Sequence, residues 1–288
     1  MKENRMILVI GATGTNGREV ARGLAAAGQR VRALVRSSAK ADDLRLAGLE
    51  LVEGDLGDSN SLDRAFTGVS QVFVVTAVDR RASDWFRNAF DAAKRAGRPH
   101  VVKFSGMGAG TADSALLRLH GETDELLQAS GLPYTILRPN SFFQNMLWSA
   151  SSIKDRGAFY LPMGDGRQSL VDVRDIAAVA IQVLTGPGHE NKTYEITGPE
   201  SLSFADVAAT LSRVLSKPVQ YIDVPPEAAR DSMLKAGMPP WNADAVTQLY
   251  GVFATGKFGY TTDVVQRITG RPPITFEQWA RENAAAFQ

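Results

Sequence analysis

The chain has 288 residues, enough for one large domain or a large domain with a smaller partner. Its 32 basic and 31 acidic residues leave a net charge of +1 with no long single-sign run, so neither a nucleic acid nor a membrane surface is an expected partner. Cysteine is absent, which excludes disulfides, iron–sulfur clusters and thiolate zinc sites; the three histidines lie far apart, and no metal is expected.

The apolar run 6–10 reads as a buried strand. Behind polar residues 2–5 it is too short for a signal segment or a membrane span, and a cytoplasmic address is expected. Helical spacing predicts a helix over 18–27, where Val20, Ala21 and Leu24 share a face and Gly28 ends it. Strand-like runs follow at 31–35, 49–52, 71–76, 100–105 and 134–137. Helices are expected over 83–96, with Ser83 as N-cap and Gly97 beyond the end, and over 114–130, stopped by Gly131. Strands at this spacing with helices between them imply right-handed βαβ crossovers, hence an α/β fold with a parallel sheet and helices on both faces.

After Pro139 the rhythm loosens. A strand is expected at 169–173, a helix at 175–184 and a strand at 194–197. Two helices then flank a strand at 219–224, Pro225-Pro226 marks a break, and the tail 275–287 is helical. The expected organisation is a sheet domain over 1–145, completed by about 169–198, with a smaller mixed cap interleaved from 146–168 and 199–288.

Between the first strand and the first helix lies Gly11, Ala12, Thr13, Gly14, Thr15, Asn16, Gly17. Gly11 allows a tight turn, Gly14 lets a pyrophosphate approach the backbone, and Gly17 lets helix and strand pack closely. The helix N-terminus then offers free N–H groups and a positive dipole end to phosphate. Strand, glycine turn, helix and second strand in this order predict a Rossmann-type dinucleotide site. The second strand ends in Arg36 and Ser37 with no carboxylate in the slot that would take a ribose 2′-hydroxyl. An arginine there grips a 2′-phosphate with its planar fork, so NADPH is the expected cofactor.

A Tyr-x-x-x-Lys pair would activate a tyrosine for proton exchange with a substrate oxygen. The residues four beyond the six tyrosines are Arg138, Gly164, Gly198, Pro225, Ala254 and Val264, so that chemistry is missing. With the glycine turn, the runs 119–127 (LHGETDELL), 130–139 (SGLPYTILRP), 171–177 (VDVRDIA) and 194–198 (YEITG) carry a resemblance. The chain resembles the NmrA-like, atypical short-chain dehydrogenase/reductase group from residue 7 to residue 287. Within it the pattern is similar to triphenylmethane reductases, type 2 quinone oxidoreductases and flavin-free NAD(P)H azoreductases.

The resemblance implies hydride transfer from NADPH, without flavin, to a small aromatic or conjugated acceptor of azo, quinone or triarylmethane type, by a monomer or homodimer. It places Leu116 in the usual tyrosine slot and His120 in the lysine slot, making His120 the candidate to orient the nicotinamide ribose or give a proton. It sets Asp55 and Leu56 beside the adenine, and Asn140, Ser141 and Phe142 beside the nicotinamide. Thr76, Ala77 and Val78 stand where ligands cross an open α/β sheet, and Ser105 holds the usual catalytic-serine position. Phe143, Trp148 and Trp241 are candidates for an aromatic wall against the acceptor. NmrA itself senses dinucleotides and binds protein partners, so an NADP-sensing regulator without turnover is the alternative the resemblance leaves open.

Overall fold

The computed structural model describes residues 5–111 and 113–288; of the polar stretch ahead of the first strand, residues 2–4 lie outside them. Five consecutive apolar residues form β1 (Met6–Ile10), buried along its whole length, the pattern of a strand covered on both faces. The chain continues through α1 (Thr15–Ala26), β2 (Arg30–Val35), α2 (Asp42–Leu46), β3 (Glu50–Glu53), α3 (Leu62–Phe66) and β4 (Val69–Val74). Then come α4 (Ala82–Arg95), β5 (His100–Phe104), α5 (Ala115–Ala129) and β6 (Tyr134–Pro139). Beyond them lie α6 (Ala150–Arg156), β7 (Ala158–Leu161), β8 (Arg167–Gln168), α7 (Val173–Thr185), β9 (Lys192–Ile196) and β10 (Leu202–Ser203). The last elements are α8 (Phe204–Leu215), β11 (Gln220–Asp223), α9 (Pro226–Lys235), α10 (Pro240–Ala254), α11 (Val264–Thr269) and α12 (Phe276–Glu282).

Among the described residues seven strands form one sheet in the order β3-β2-β1-β4-β5-β6-β9. The pairs from β3 to β6 are parallel. β9 keeps the same sense: the Asn191 N–H donates to the Tyr134 carbonyl at 2.6 Å near one end and the Asn140 N–H to the Ile196 carbonyl at 2.9 Å near the other. The order turns back between β1 and β4, so the carboxyl ends of these two strands form a topological switch point, where open α/β sheets bind ligands. Leu8, Ile10, Val72, Val74, Val101 and Ile136 pack with Phe66, Phe86 and Phe90 in the core beside this sheet.

The chain divides into two compact units. One comprises Met1–Gly110, Leu119–Arg138 and Ile176–Tyr194; the other comprises Thr111–Arg118, Pro139–Asp175 and Glu195–Gln288. The second unit has two small sheets, β10 with β8 and β11 with β7. Its core is aromatic: Phe143 meets Phe276 edge-on at 5.3 Å and Trp279 at 5.9 Å. No helix among the described residues is long and apolar enough to cross a membrane.

Four local expectations change. Ser83 does not cap α4: the helix starts at Ala82, and the acceptor ahead of it is Asp79, whose carboxylate takes the Arg81 N–H at 2.8 Å. The run 169–173 is no strand, because only Val171 bridges, to Phe142. Asp172 accepts the Arg174 N–H at 2.8 Å and turns the chain into α7 already at Val173. β4 stops at Val74, leaving Thr76 in the loop beyond it. Pro225-Pro226 starts a helix, with Pro226 in the first turn of α9 where its missing N–H costs nothing; Pro239 and Pro240 repeat the device at α10.

Candidate functional site

The glycine turn is built by backbone contact. Gly11 has φ +83°, and a Cβ on it would lie 2.3 Å from the Val75 carbonyl oxygen just past β4. A Cβ on Gly17 would lie 2.2 Å from the Gly11 carbonyl oxygen. Both positions therefore admit only glycine for reasons internal to the protein. Gly14 differs: its φ is −84° and its nearest neighbour would be the Gly11 oxygen at 3.4 Å, an ordinary contact. The fold itself does not require glycine there, and the exposed backbone leaves room for a phosphate to approach.

Gly14 precedes α1 as its N-cap, with no side-chain cap and no acidic residue in the first turn, so the leading amides meet an anion without competition. Asn16 is buried in the same turn, and its Oδ1 has no hydrogen-bond partner. Uncapped amides and an exposed glycine fit a dinucleotide pyrophosphate, while the Asn16 oxygen, an acceptor, would need a hydroxyl or N–H.

Arg36 follows β2, is exposed, and among the described residues has no ion-pair partner. Ser37 beside it makes no capping bond from its side chain. A carboxylate that sequence spacing did not disclose reaches this loop: Glu53, the last residue of β3, accepts the Ser38 N–H at 2.7 Å. That bond holds the Glu53 carboxyl below its ordinary range. Asp55 accepts its own Gly57 N–H at 2.7 Å, and Leu56 is held by Asn88, whose amide donates to the Leu56 carbonyl at 2.7 Å. Beyond β4, Thr76 is half-buried, while Ala77 and Val78 are exposed.

Ser105 is buried and its hydroxyl donates to Asp124 at 3.0 Å, inside a cluster in which Asp124 also receives Lys103 at 2.7 Å and Arg138 at 2.9 Å. Lys103 is wholly buried, its ammonium 4.7 Å from the Phe86 ring centre. Burial pushes the Lys103 pKa down and the Asp124 carboxylate opposes it. A lysine inside the apolar strand HVVKF was the visible signal of such a pair.

His120 stands over Gly106, where a Cβ would be 3.1 Å from its ring. It is largely buried, and that burial, and then the Lys103 ammonium, hold the imidazole near pKa 3. Burial thus favours the neutral imidazole. A neutral hydrogen bond remains open to it.

The Asn140 amide donates to Ser169 Oγ and to the Phe258 carbonyl, both at 2.8 Å, and its carbonyl takes the Ser141 N–H at 2.8 Å, so both amide hydrogens are committed to the protein itself. Ser141 and Phe142 line a cavity of about 450 Å³ in the second unit. Met146, Trp148, Met163, Phe204, Met233 and Phe253 give it an apolar, largely aromatic and thioether wall. Trp148 is 71% exposed at its edge. Phe143, expected against the acceptor, is 1% exposed and committed to the Phe276–Trp279 core; Trp241 does not line the cavity either. Both are apolar residues whose destination only the tertiary packing decides.

Residues 3–275 match the model of the NmrA-like family. An NAD(P)H azoreductase of Xenophilus azovorans is 43% identical over 283 residues, covering 98% of this chain and 99% of the relative. A (4-alkanoyl-5-oxo-2,5-dihydrofuran-3-yl)methyl phosphate reductase of Streptomyces griseus is 40% identical over 284 residues, covering 98% and 99%. Among solved structures, the NADPH-dependent quinone oxidoreductase of Escherichia coli complexed with NADPH matches with a TM-score of 0.87 at 28% identity, over 96% of this chain and 99% of that one.

Proposed function

The chain belongs to the NmrA-like family, and we propose that it is an NADPH-dependent, flavin-free reductase of flat, electron-poor conjugated acceptors of azo, quinone or triarylmethane type. The observation that carries this reading is the cavity of the second unit, whose wall of Phe142, Met146, Met163, Phe204, Met233 and Phe253 suits a planar aromatic molecule. The glycine turn of the first unit supports the cofactor half of it, and the similarity to reductases named for NAD(P)H supports both halves.

In this reading the turn from Gly11 to Gly17 holds the pyrophosphate, and Arg36 with Ser37 takes the 2′-phosphate. Asp55 and Leu56 flank the adenine, and Thr76, Ala77 and Val78 border the dinucleotide at the end of β4. NADPH, when bound, supplies the hydride. The protein contributes orientation and an apolar surround. His120, neutral, orients the nicotinamide ribose by a hydrogen bond. An acceptor that spreads incoming charge over a conjugated system needs no strong acid during hydride transfer, and water completes its protonation. The missing tyrosine–lysine pair then costs the reaction nothing.

The test is NADPH oxidation by purified protein, without added flavin, against azo dyes, quinones, triarylmethane dyes and a conjugated butenolide. Oxidation that depends on an acceptor is expected. Stoichiometric cofactor binding with no turnover across the panel would overturn the reading in favour of a dinucleotide sensor.

A further inference from the structure

We propose that Gln168 decides which aromatic molecules the cavity selects, its side-chain carbonyl accepting a hydrogen bond from a hydroxyl or N–H borne by the ligand. The proposal rests on the reading of that cavity as the acceptor's site. The apolar wall supplies contact area but no direction, so selectivity among flat molecules falls to the few polar groups that line it.

Two of those groups, Ser141 and Asn145, are engaged with each other. Ser141 Oγ accepts the Asn145 amide at 3.1 Å. Gln168 is wholly buried, yet its Oε1 has no hydrogen-bond partner, and its amide nitrogen has only a 3.5 Å contact with the Phe253 carbonyl. A buried carbonyl without a donor destabilises a ligand-free protein. Its retention in the wall of an apolar cavity is explained when a ligand brings the donor.

The position of Gln168 is rigid. Its backbone pairs with Leu202 in the β10–β8 ladder. Two residues earlier, a Cβ on Gly166 would stand 2.6 Å from the Phe253 carbonyl oxygen and 2.7 Å from Ala254 Cα, so the backbone ahead of β8 lies directly on the last turn of α10. The terminal amide of a glutamine turns over a broad, shallow torsional range, which lets it present its oxygen to a ligand from a fixed base.

α10 carries Tyr250 one turn before Phe253, and both line the cavity. Among the described residues the Tyr250 hydroxyl has no hydrogen-bond partner, and burial raises its pKa, keeping it a neutral donor. Gln168 and Tyr250 thus offer the cavity an acceptor and a donor. A planar molecule that carries a hydroxyl or N–H near a carbonyl or azo nitrogen satisfies both.

The probes are 4-hydroxyazobenzene and 4-methoxyazobenzene, a pair that differs in the hydrogen-bond donor. Binding is read in the presence of NADP+ from tryptophan fluorescence, and turnover separately from NADPH absorbance. Wild type is expected to favour the hydroxy compound by about tenfold. Gln168→Met should erase that preference while raising the melting temperature of the ligand-free protein, because the unpartnered carbonyl is gone. The same hydroxy-to-methoxy ratio in wild type and variant overturns the proposal, even if both proteins turn over normally and the reductase reading stands. A preference that is lost in Gln168→Met, with no turnover of either compound, supports Gln168, and the reductase reading is then decided by the wider acceptor panel. If the variant does not fold, equal wild-type affinity for the two compounds overturns the proposal and a clear hydroxy preference upholds it.

Discussion

The carboxylate of Glu53 accepts the backbone N–H of Ser38 at 2.7 Å. The bond ties the end of β3 to the loop that carries Arg36 and Ser37, and it keeps a negative charge beside the segment proposed for the 2′-phosphate. Glu53→Gln is expected to tighten NADPH binding roughly two- to fivefold while leaving NADH nearly unchanged. Arg36→Ala should weaken NADPH binding by about ten- to a hundredfold. Fluorescence titration of both cofactors checks the pair; equal NADPH affinity in wild type and Arg36→Ala removes Arg36 from the site.

Gly14 and Gly17 should respond in opposite ways to alanine. At Gly17 the new Cβ meets backbone at 2.2 Å, which only a shift of the turn or helix can relieve, so Gly17→Ala should melt several degrees lower, a cost of roughly 1–3 kcal/mol. At Gly14 the nearest atom is 3.4 Å away, so Gly14→Ala should keep its melting temperature and lose NADPH binding. Calorimetry with cofactor titration separates them. A Gly14→Ala protein with wild-type cofactor affinity would show that phosphate does not lie on that backbone.

His120 makes stability depend on pH in a defined direction. Its imidazole titrates near 6.5 when unfolded and near 3 when folded. The unfolded chain therefore binds a proton that the folded chain refuses. The stabilisation is present in full above about pH 6.5 and is lost as pH falls toward 3. His120→Gln should flatten the fall in melting temperature between about pH 6.5 and 5. The pH profile of kcat should show no step near neutrality that belongs to His120. A step between about pH 6 and 7 that disappears in His120→Gln would contradict a neutral imidazole.

Lys103 and Asp124 form a buried pair at 2.7 Å, and Ser105 and Arg138 depend on the same carboxylate. Asp124→Ala strands a buried ammonium and should cost roughly 3–5 kcal/mol in urea unfolding. Adding Lys103→Met to Asp124→Leu should recover part of that loss, because the buried ammonium goes with its partner and only the partly exposed Arg138 guanidinium loses its carboxylate. A single-variant cost below about 1 kcal/mol would mean that Lys103 finds water or becomes neutral at little expense.

Much of the first unit was legible because its signals are local. An unbroken apolar run fits a strand covered on both faces, and β1 is buried throughout. The glycine spacing marks positions where φ or close approach forbids a side chain, as the Cβ positions of Gly11 and Gly17 bear out. Spacing failed where acceptors compete for the same backbone. Asp79 displaced Ser83 as the group ahead of α4, and Asp172 turned an apparent strand into the start of α7.

The sequence by itself determined the strand–turn–helix unit, the parallel sheet, the arginine after β2 and the missing tyrosine–lysine pair, since each is a property of residue types at short spacing. Tertiary structure alone decided how side chains of identical type are used. Phe142 lines the cavity while Phe143, its neighbour, is sealed against Phe276 and Trp279. Ser105 and Asn140 occupy familiar site positions but give their hydrogen bonds to the protein itself. Glu53 meets Ser38 across 15 residues, Lys103 meets Asp124 across 21, and Gln168 approaches Phe253 across 85. Partners that far apart are set by the folding of one element onto another, and a polar group's function depends on whether such a partner has already satisfied it.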